Sequence, residues 1–188
     1  MKKLALALFV FTFSFMGVKA QVQFGLKGGA NFSTLTNSTG GSTLINFNAG
    51  MLVKIPLDHV LSLQPEAYYS GQGIKAPDGK IVVNYINIPF LLTYTLPAGV
   101  FFQTGPQLGV LLSAKVKADS GENEDLKDFF KSTDFDWAFG AGYQVPKGGF
   151  GFNVRYNLGI SSVGKLGGTS KNSVFQVGIS YLFPGKYK

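Results

Sequence analysis

The sequence predicts an all-β fold, an eight-stranded antiparallel up-and-down transmembrane β-barrel. Three observations carry that expectation. Beyond residue 20, apolar side chains recur at every second position through eight stretches, the signature of strands with two different faces. Most of these stretches reach about ten residues, as a membrane-crossing strand of about 9–11 requires, whereas the mean strand of a soluble protein has about 5–6. The connections alternate between short turns and long polar loops, the plan of outer-membrane barrels with turns inside and loops outside.

The chain opens with a basic Met1-Lys2-Lys3, an apolar run from Leu4 to Val18 and a small-residue ending at Ala20. This is the plan of a secretory signal peptide over residues 1–20, leaving 21–188 as one barrel domain. The run is shorter than the roughly 20 apolar residues of a spanning helix and is closed by Lys19. In the first strand Val22, Phe24, Leu26, Ala30 and Phe32 alternate with Gln23, Lys27, Asn31 and Ser33. The second places Ile45, Phe47, Ala49, Met51, Val53 and Ile55 against Asn46, Asn48 and Lys54. The third sets Leu61, Leu63, Ala67 and Tyr69 against Ser62, Gln64, Glu66 and Ser70. The fourth has Ile86, Ile88, Phe90, Leu92, Tyr94 and Leu96 opposed to Asn87, Thr93 and Thr95. The fifth opposes Val100, Phe102, Leu108, Val110 and Leu112 to Gln103, Gln107 and Ser113. In the sixth, Phe135, Trp137, Phe139, Ala141, Tyr143 and Val145 face away from Asp136 and Gln144. The seventh sets Phe150, Phe152, Val154, Tyr156, Leu158 and Ile160 against Asn153, Arg155 and Asn157. The eighth sets Phe175, Val177, Ile179, Tyr181 and Phe183 against Gln176 and Ser180.

Short turns are expected at Pro56–His59, Pro97–Gly99 and Pro146–Gly149, and long polar loops at Thr34–Thr43, Gly71–Lys80, Ala114–Asp134 and Ser162–Lys171. The longest loop holds a short helix candidate at Asp125–Phe130. Pro65, Pro89 and Pro106 fall within strands. Each removes a ladder donor, so bulges or local breaks are expected there.

Period two is equally that of a soluble, lipocalin-like barrel, so the faces decide. The polar faces carry few charges: Lys27, Lys54, Glu66, Asp136 and Arg155. A water-facing sheet is normally much richer in Lys and Glu. Those faces are also rich in glycine, such as Gly25, Gly50, Gly105, Gly140 and Gly178. Glycine weakens a strand in open water but suits a narrow eight-stranded interior. The bulky apolar faces suit lipid, with Phe24, Tyr94, Phe102, Phe152 and Phe183 below and Phe32, Tyr69 and Phe135 above as interfacial girdles. Composition agrees. The 188 residues are 45% hydrophobic and 14% charged, with 25 Gly and 18 Phe; a soluble domain is about 25% charged.

The residues also carry a resemblance. Gln23–Ser33 resembles the opening strand of the PorT-like outer-membrane β-barrel family common in Bacteroidetes. Tyr85-Ile86-Asn87-Ile88-Pro89 looks like that family's tyrosine–x–x–isoleucine–proline strand. Gly105–Gly109, Leu112–Lys115 and Asp134–Phe135 with Gly140–Tyr143 look like its following strands. The resemblance implies a barrel of the bacterial outer membrane. It implies a secretion-associated role only weakly, because most members have no assigned role. Such barrels often end on an aromatic residue read by the barrel-insertion machinery; here Phe183 is followed by five further residues, so that signal is displaced.

Chemistry is sparse. The absence of Cys excludes disulfides, thiolate metal sites, a Cys nucleophile and a lipid-modified N-terminal Cys; a single His excludes a multi-histidine metal site. His59 lies on a turn beside Asp58 and is read as a solvated residue; Gly40-Gly41 and Gly167-Gly168 are loop-tip glycines rather than phosphate cradles. The formal charge of +7 falls to +4 without the signal peptide. Its lysines are scattered, with no aromatic-interleaved basic patch, so no nucleic acid partner is expected. No catalytic residue, cofactor or metal is assigned. The expected partners are outer-membrane lipid and lipopolysaccharide, the insertion machinery, and an envelope protein docking on loop 114–134.

One constellation is internal. Lys27, Glu66 and Arg155 each lie six residues along an upward strand from its turn end, all on the polar face, and Arg155 is the sole arginine. Charges inside a barrel should pair, because an isolated one is costly to desolvate. The expected lumen network is a Glu66–Arg155 contact with Lys27 nearby and Asp136 higher. It implies a structural or envelope-interaction protein with a filled polar lumen rather than an enzyme. Loop-mediated binding or assembly and a narrow channel are the alternatives, a wide pore needing many more strands.

Overall fold

A strand whose every second residue is bulky and apolar can bury only one face, and eight such strands joined in series must find partners for both edges. In the computed structural model they close on themselves. Residues 22–36, 41–77, 79–118, 123–146, 148–164 and 170–184 are described; the expected signal peptide lies outside them. The strands are β1 (Gln23–Leu35), β2 (Ser42–Pro56), β3 (Leu61–Ala76), β4 (Gly79–Thr95), β5 (Val100–Ala118), a short β6 (Asn123–Asp125), β7 (Thr133–Gln144), β8 (Phe150–Gly159) and β9 (Asn172–Leu182). Each long strand pairs antiparallel with its neighbours in the order β1-β2-β3-β4-β5-β7-β8-β9, and β9 pairs back onto β1 from Gly25–Leu182 to Leu35–Asn172. The fold is therefore a closed, antiparallel, eight-stranded barrel, and closure leaves no edge to lipid.

The faces are inverted relative to a soluble protein. Outward side chains are large and apolar: Phe24, Met51 and Ile179 are 62%, 61% and 55% exposed. Inward ones are polar and buried, including Asn31, Ser70, Gln107, Asn157 and Gln176. The interior is not uniformly polar, however. Leu52, Tyr68, Tyr85, Leu91, Leu111 and Val174 are also buried. Sequence reading missed them because a lone apolar residue at a polar-phase position looks like noise in the alternation.

Two expected loops are largely strand. At Gly71–Lys80, β3 continues to Ala76 and β4 begins at Gly79, with Ile74 opposite Ile81 and Gly73 opposite Val82. The β-branched run Ile81-Val82-Val83 supplies the pairing; glycines, glutamine and Pro77 made the segment read as a loop. Gly73 has φ +135°, and a Cβ there would lie 2.0 Å from the Ile81 carbonyl oxygen, so the hairpin needs glycine at this close approach. In the second loop β5 runs to Ala118, and β6 returns along it with Lys115 opposite Asp125. The short helix expected at Asp125–Phe130 is a 3₁₀ turn over Lys127–Phe129. Leu126 and Phe130 pack against a buried apolar cluster of Val83, Tyr85, Leu111 and Ala114. The barrel is consequently taller on one side: β5 has 19 residues, β8 has 10.

The prolines break the ladder without shifting it. Pro65 is opposite Phe90, Pro89 opposite Gln107 and Pro106 opposite Trp137, in the same register as the residues on either side. Pairing lapses beside Pro65 and Pro89, resuming at Tyr68–Asn87 and Leu92–Thr104. The register shifts fall elsewhere. One lies on β2 between Thr43 and Asn48. The other lies on β5, where Asn84 is opposite Ser113 but Tyr85 is opposite Leu111. Leu112 is thus an extra residue, a bulge that reverses the facing of everything beyond it. Ser113 was expected inside. It stands outward and accepts a hydrogen bond from the Asn84 amide (2.9 Å).

Candidate functional site: a charged centre in the lumen

Inward-facing positions of β1, β3 and β8 converge on one point inside the barrel. Lys27 comes from β1, Glu66 from β3 and Arg155 from β8, and their side chains are almost wholly inaccessible, at 5%, 1% and 2%. The guanidinium grips the carboxylate with both arms. Nη1 donates to Oε2 (2.8 Å) and Nη2 to Oε1 (2.7 Å). Lys27 Nζ donates to the same Oε2 at 2.7 Å, and Gln64 Nε2 donates to Oε1 at 2.8 Å. Glu66 therefore accepts four hydrogen bonds, all charge-assisted and so of the stronger kind, three of them from cations. Only this saturation lets three formal charges sit in a dry interior, since the desolvation of each costs several kcal/mol.

The cations are served from further positions. Lys27 Nζ lies 4.2 Å from the centroid of the Tyr68 ring, an attraction of the ammonium to the ring face. With its amide oriented by the hydrogen-bond network, the Gln103 oxygen accepts from Arg155 Nε (3.1 Å) and Nη2 (2.9 Å). Gly140 sits opposite both Gln103 and Arg155. A Cβ there would lie 2.8 Å from Gln103 Cγ, so the glycine makes room for the amide over the guanidinium.

Asp136 does not join this centre. It is reached through neutral groups: Tyr68 donates to Gln107 Oε1 (2.6 Å), and Gln107 Nε2 donates to Asp136 Oδ2 (2.7 Å). Its other oxygen, buried, has no hydrogen-bond partner among the described residues. Asp134, also buried, accepts from Ser161 Oγ (2.7 Å) and from Asn172 Nδ2. Sequence reading placed the three central charges by counting along strands. It missed Gln64, Gln103 and Gln107, whose inward phase was visible but whose neutral side chains gave no reason to single them out, and Tyr68, whose ring at a polar-phase position read as noise.

No group of three or more His, Cys, Asp or Glu side chains suited to a metal occurs among the described residues. The bonded charges fix one another and join three strands across the lumen.

The family model described as "Outer membrane protein beta-barrel domain" matches residues 14–164. Among solved structures the chain is similar to Ail, the attachment invasion locus protein of Yersinia pestis, with a TM-score of 0.50 and 13% identity over 88% of this chain and 100% of that one. It is also similar to Neisserial surface protein A, with a TM-score of 0.53 and 16% identity over 85% of this chain and 97% of that one. At these identities the likeness is one of fold. No curated protein matches the chain in sequence.

Proposed function

The chain belongs to the outer membrane protein beta-barrel domain family, whose place is the bacterial outer membrane, and from that premise we propose a non-catalytic envelope protein whose lumen is plugged by its own side chains. The observation that carries this reading is the Lys27–Glu66–Arg155 centre, which joins three strands of the wall through the interior. An eight-stranded barrel has an interior just wide enough for side chains to fill. Beside the centre the free space amounts to about 20 Å³, room for about one water. A buried cross-brace of this kind rigidifies the wall and denies ions a path. The motifs of Tyr85–Pro89 and Gly105–Gly109 support the finer reading of a PorT-like barrel of Bacteroidetes. Its working partners on this view are outer-membrane lipid and, during assembly, the insertion machinery.

Conductance across a planar bilayer tests the plug. The wild-type chain is expected to give no unitary steps, and Glu66→Ala with Arg155→Ala to admit a small leak. Steady single-channel steps from the wild type would overturn the proposal.

A further inference from the structure

We propose that the outward face of β4 and β5, above the lipid-facing band, is a binding site for the phosphorylated headgroup of an outer-leaflet glycolipid such as lipopolysaccharide. Lys80, Lys115 and Lys117 form it, with Lys75 at its edge. In sequence these lysines are dispersed, and the strand register gathers them. Lys75 is opposite Lys80, Lys80 is opposite Lys117, and Lys115 is opposite Val82. All four are exposed.

The bulge at Leu112 is what turns two of them outward. Leu111 is inward and buried, so an unbroken alternation would carry residues 113, 115 and 117 inward as well. With Leu112 inserted, Ala114 is buried instead, and Ser113, Lys115 and Lys117 share the face of Leu108 and Val110. The same face thus runs from exposed Leu108, Val110 and Leu112 through a polar seam to the lysines. The seam is bonded: Tyr69 donates to Asn84 Oδ1 (2.8 Å) and Asn84 donates to Ser113 Oγ (2.9 Å). Lys115 stands three residues beyond Leu112, about 10 Å along the strand, the height at which headgroups meet the wall of a barrel. By the rule that loops face outward, this is the outer leaflet.

The site is concave and gathers cations. Val82, Asn84, Ser113, Lys115 and Lys117 line a cavity of about 310 Å³. Like charges directly opposite one another destabilise a sheet, so Lys75–Lys80–Lys117 is a row that a bridging anion relieves. Among the described residues the nearby carboxylates balance this charge only in part. Asp125, opposite Lys115 and accepting the backbone N–H of Lys127 (2.8 Å), is one carboxylate against four lysines, and Glu124, opposite inward-facing Val116, belongs to the other face. Among the described residues the ion pairs are those of Glu66 in the lumen. Charge complementarity and continuity with the lipid band together select a membrane phosphate as the occupant.

The test uses the full mature chain in detergent micelles, with bound lipid counted by native mass spectrometry. The probes are bisphosphorylated lipid A, the same lipid A freed of phosphate, inorganic phosphate, and a soluble sulfated polysaccharide. The wild type is expected to retain bisphosphorylated lipid A. Lys80→Gln/Lys115→Gln/Lys117→Gln should weaken that binding at least about tenfold, whereas Lys127→Gln/Lys131→Gln leaves it unchanged. Should the triple variant fail to show the gel mobility of a folded barrel, Lys115→Gln alone carries the comparison, with a smaller loss in the same direction. Equal binding by the two multiple variants, or equal retention of phosphate-free lipid A, would overturn the proposal. So would a preference for inorganic phosphate or the sulfated polysaccharide, since either would mark a site for a soluble anion.

Discussion

Two levels of the same lumen handle buried charge in opposite ways. Near the turn end, Glu66 is saturated by Arg155, Lys27 and Gln64, and Arg155 is bonded on its third side by Gln103. Nearer the loops, Asp134 and Asp136 stand two residues apart on one face with neutral donors only, and one oxygen of Asp136 is unmatched. Both levels are buried. Burial therefore does not decide what a charge does for this barrel; the completeness of its bonding does. At the lower level each charge holds the others in place, so removing one strands the rest. At the upper level Asp136 pays desolvation with no bonded countercharge, so removing its charge relieves the site.

The variants that sharpen this contrast follow in order of size. The largest effect is expected from Glu66→Ala, which leaves two cations facing each other in a dry interior. It should cost at least as much as the about 3–5 kcal/mol typical of breaking a buried pair, read as a shift of the urea unfolding transition in lipid vesicles. Arg155→Ala should come next, within that same range of about 3–5 kcal/mol, because Lys27 still neutralises Glu66. Lys131→Ala, at an exposed loop position, should move the transition by less than about 0.5 kcal/mol; equal melting of the Arg155 and Lys131 variants would break the comparison. The only effect of opposite sign is expected from Asp136→Asn. It removes a like charge from beside Asp134 and keeps an oxygen for Gln107, so stability should hold or rise by up to about 1–2 kcal/mol. A loss matching that of Arg155→Ala would show that the two levels are built alike.

The contrast also marks what can be read from sequence. The barrel was legible because its outward face is nearly pure: Phe24, Leu26, Ile86, Phe90, Phe152 and Ile179 keep phase with few exceptions. Strand phase and a count from the turns were enough to name Lys27, Glu66 and Arg155 as candidates for one site. The bonding of that site was not legible, because Gln64, Gln103 and Tyr68 differ from other inward residues only in where their side chains reach. The bulge at Leu112 was hidden for a related reason. Leu111 and Leu112 are both leucines, so an extra residue leaves no mark on the apolar pattern, yet it reverses the facing of Ser113, Lys115 and Lys117. The tall hairpin at Gly73–Gly79 was lost to its own composition, since glycine and proline read as a loop while Ile74 and Ile81 hold the strands together.

The claim that Glu66 and Arg155 form one buried unit is tested most directly by a double-mutant cycle on Glu66→Leu and Arg155→Leu, with unfolding free energies measured in lipid vesicles. If the unit exists, each single variant loses several kcal/mol, the double variant loses much less than their sum, and the coupling reaches about 2–3 kcal/mol. Losses that add to within about 0.5 kcal/mol would contradict it.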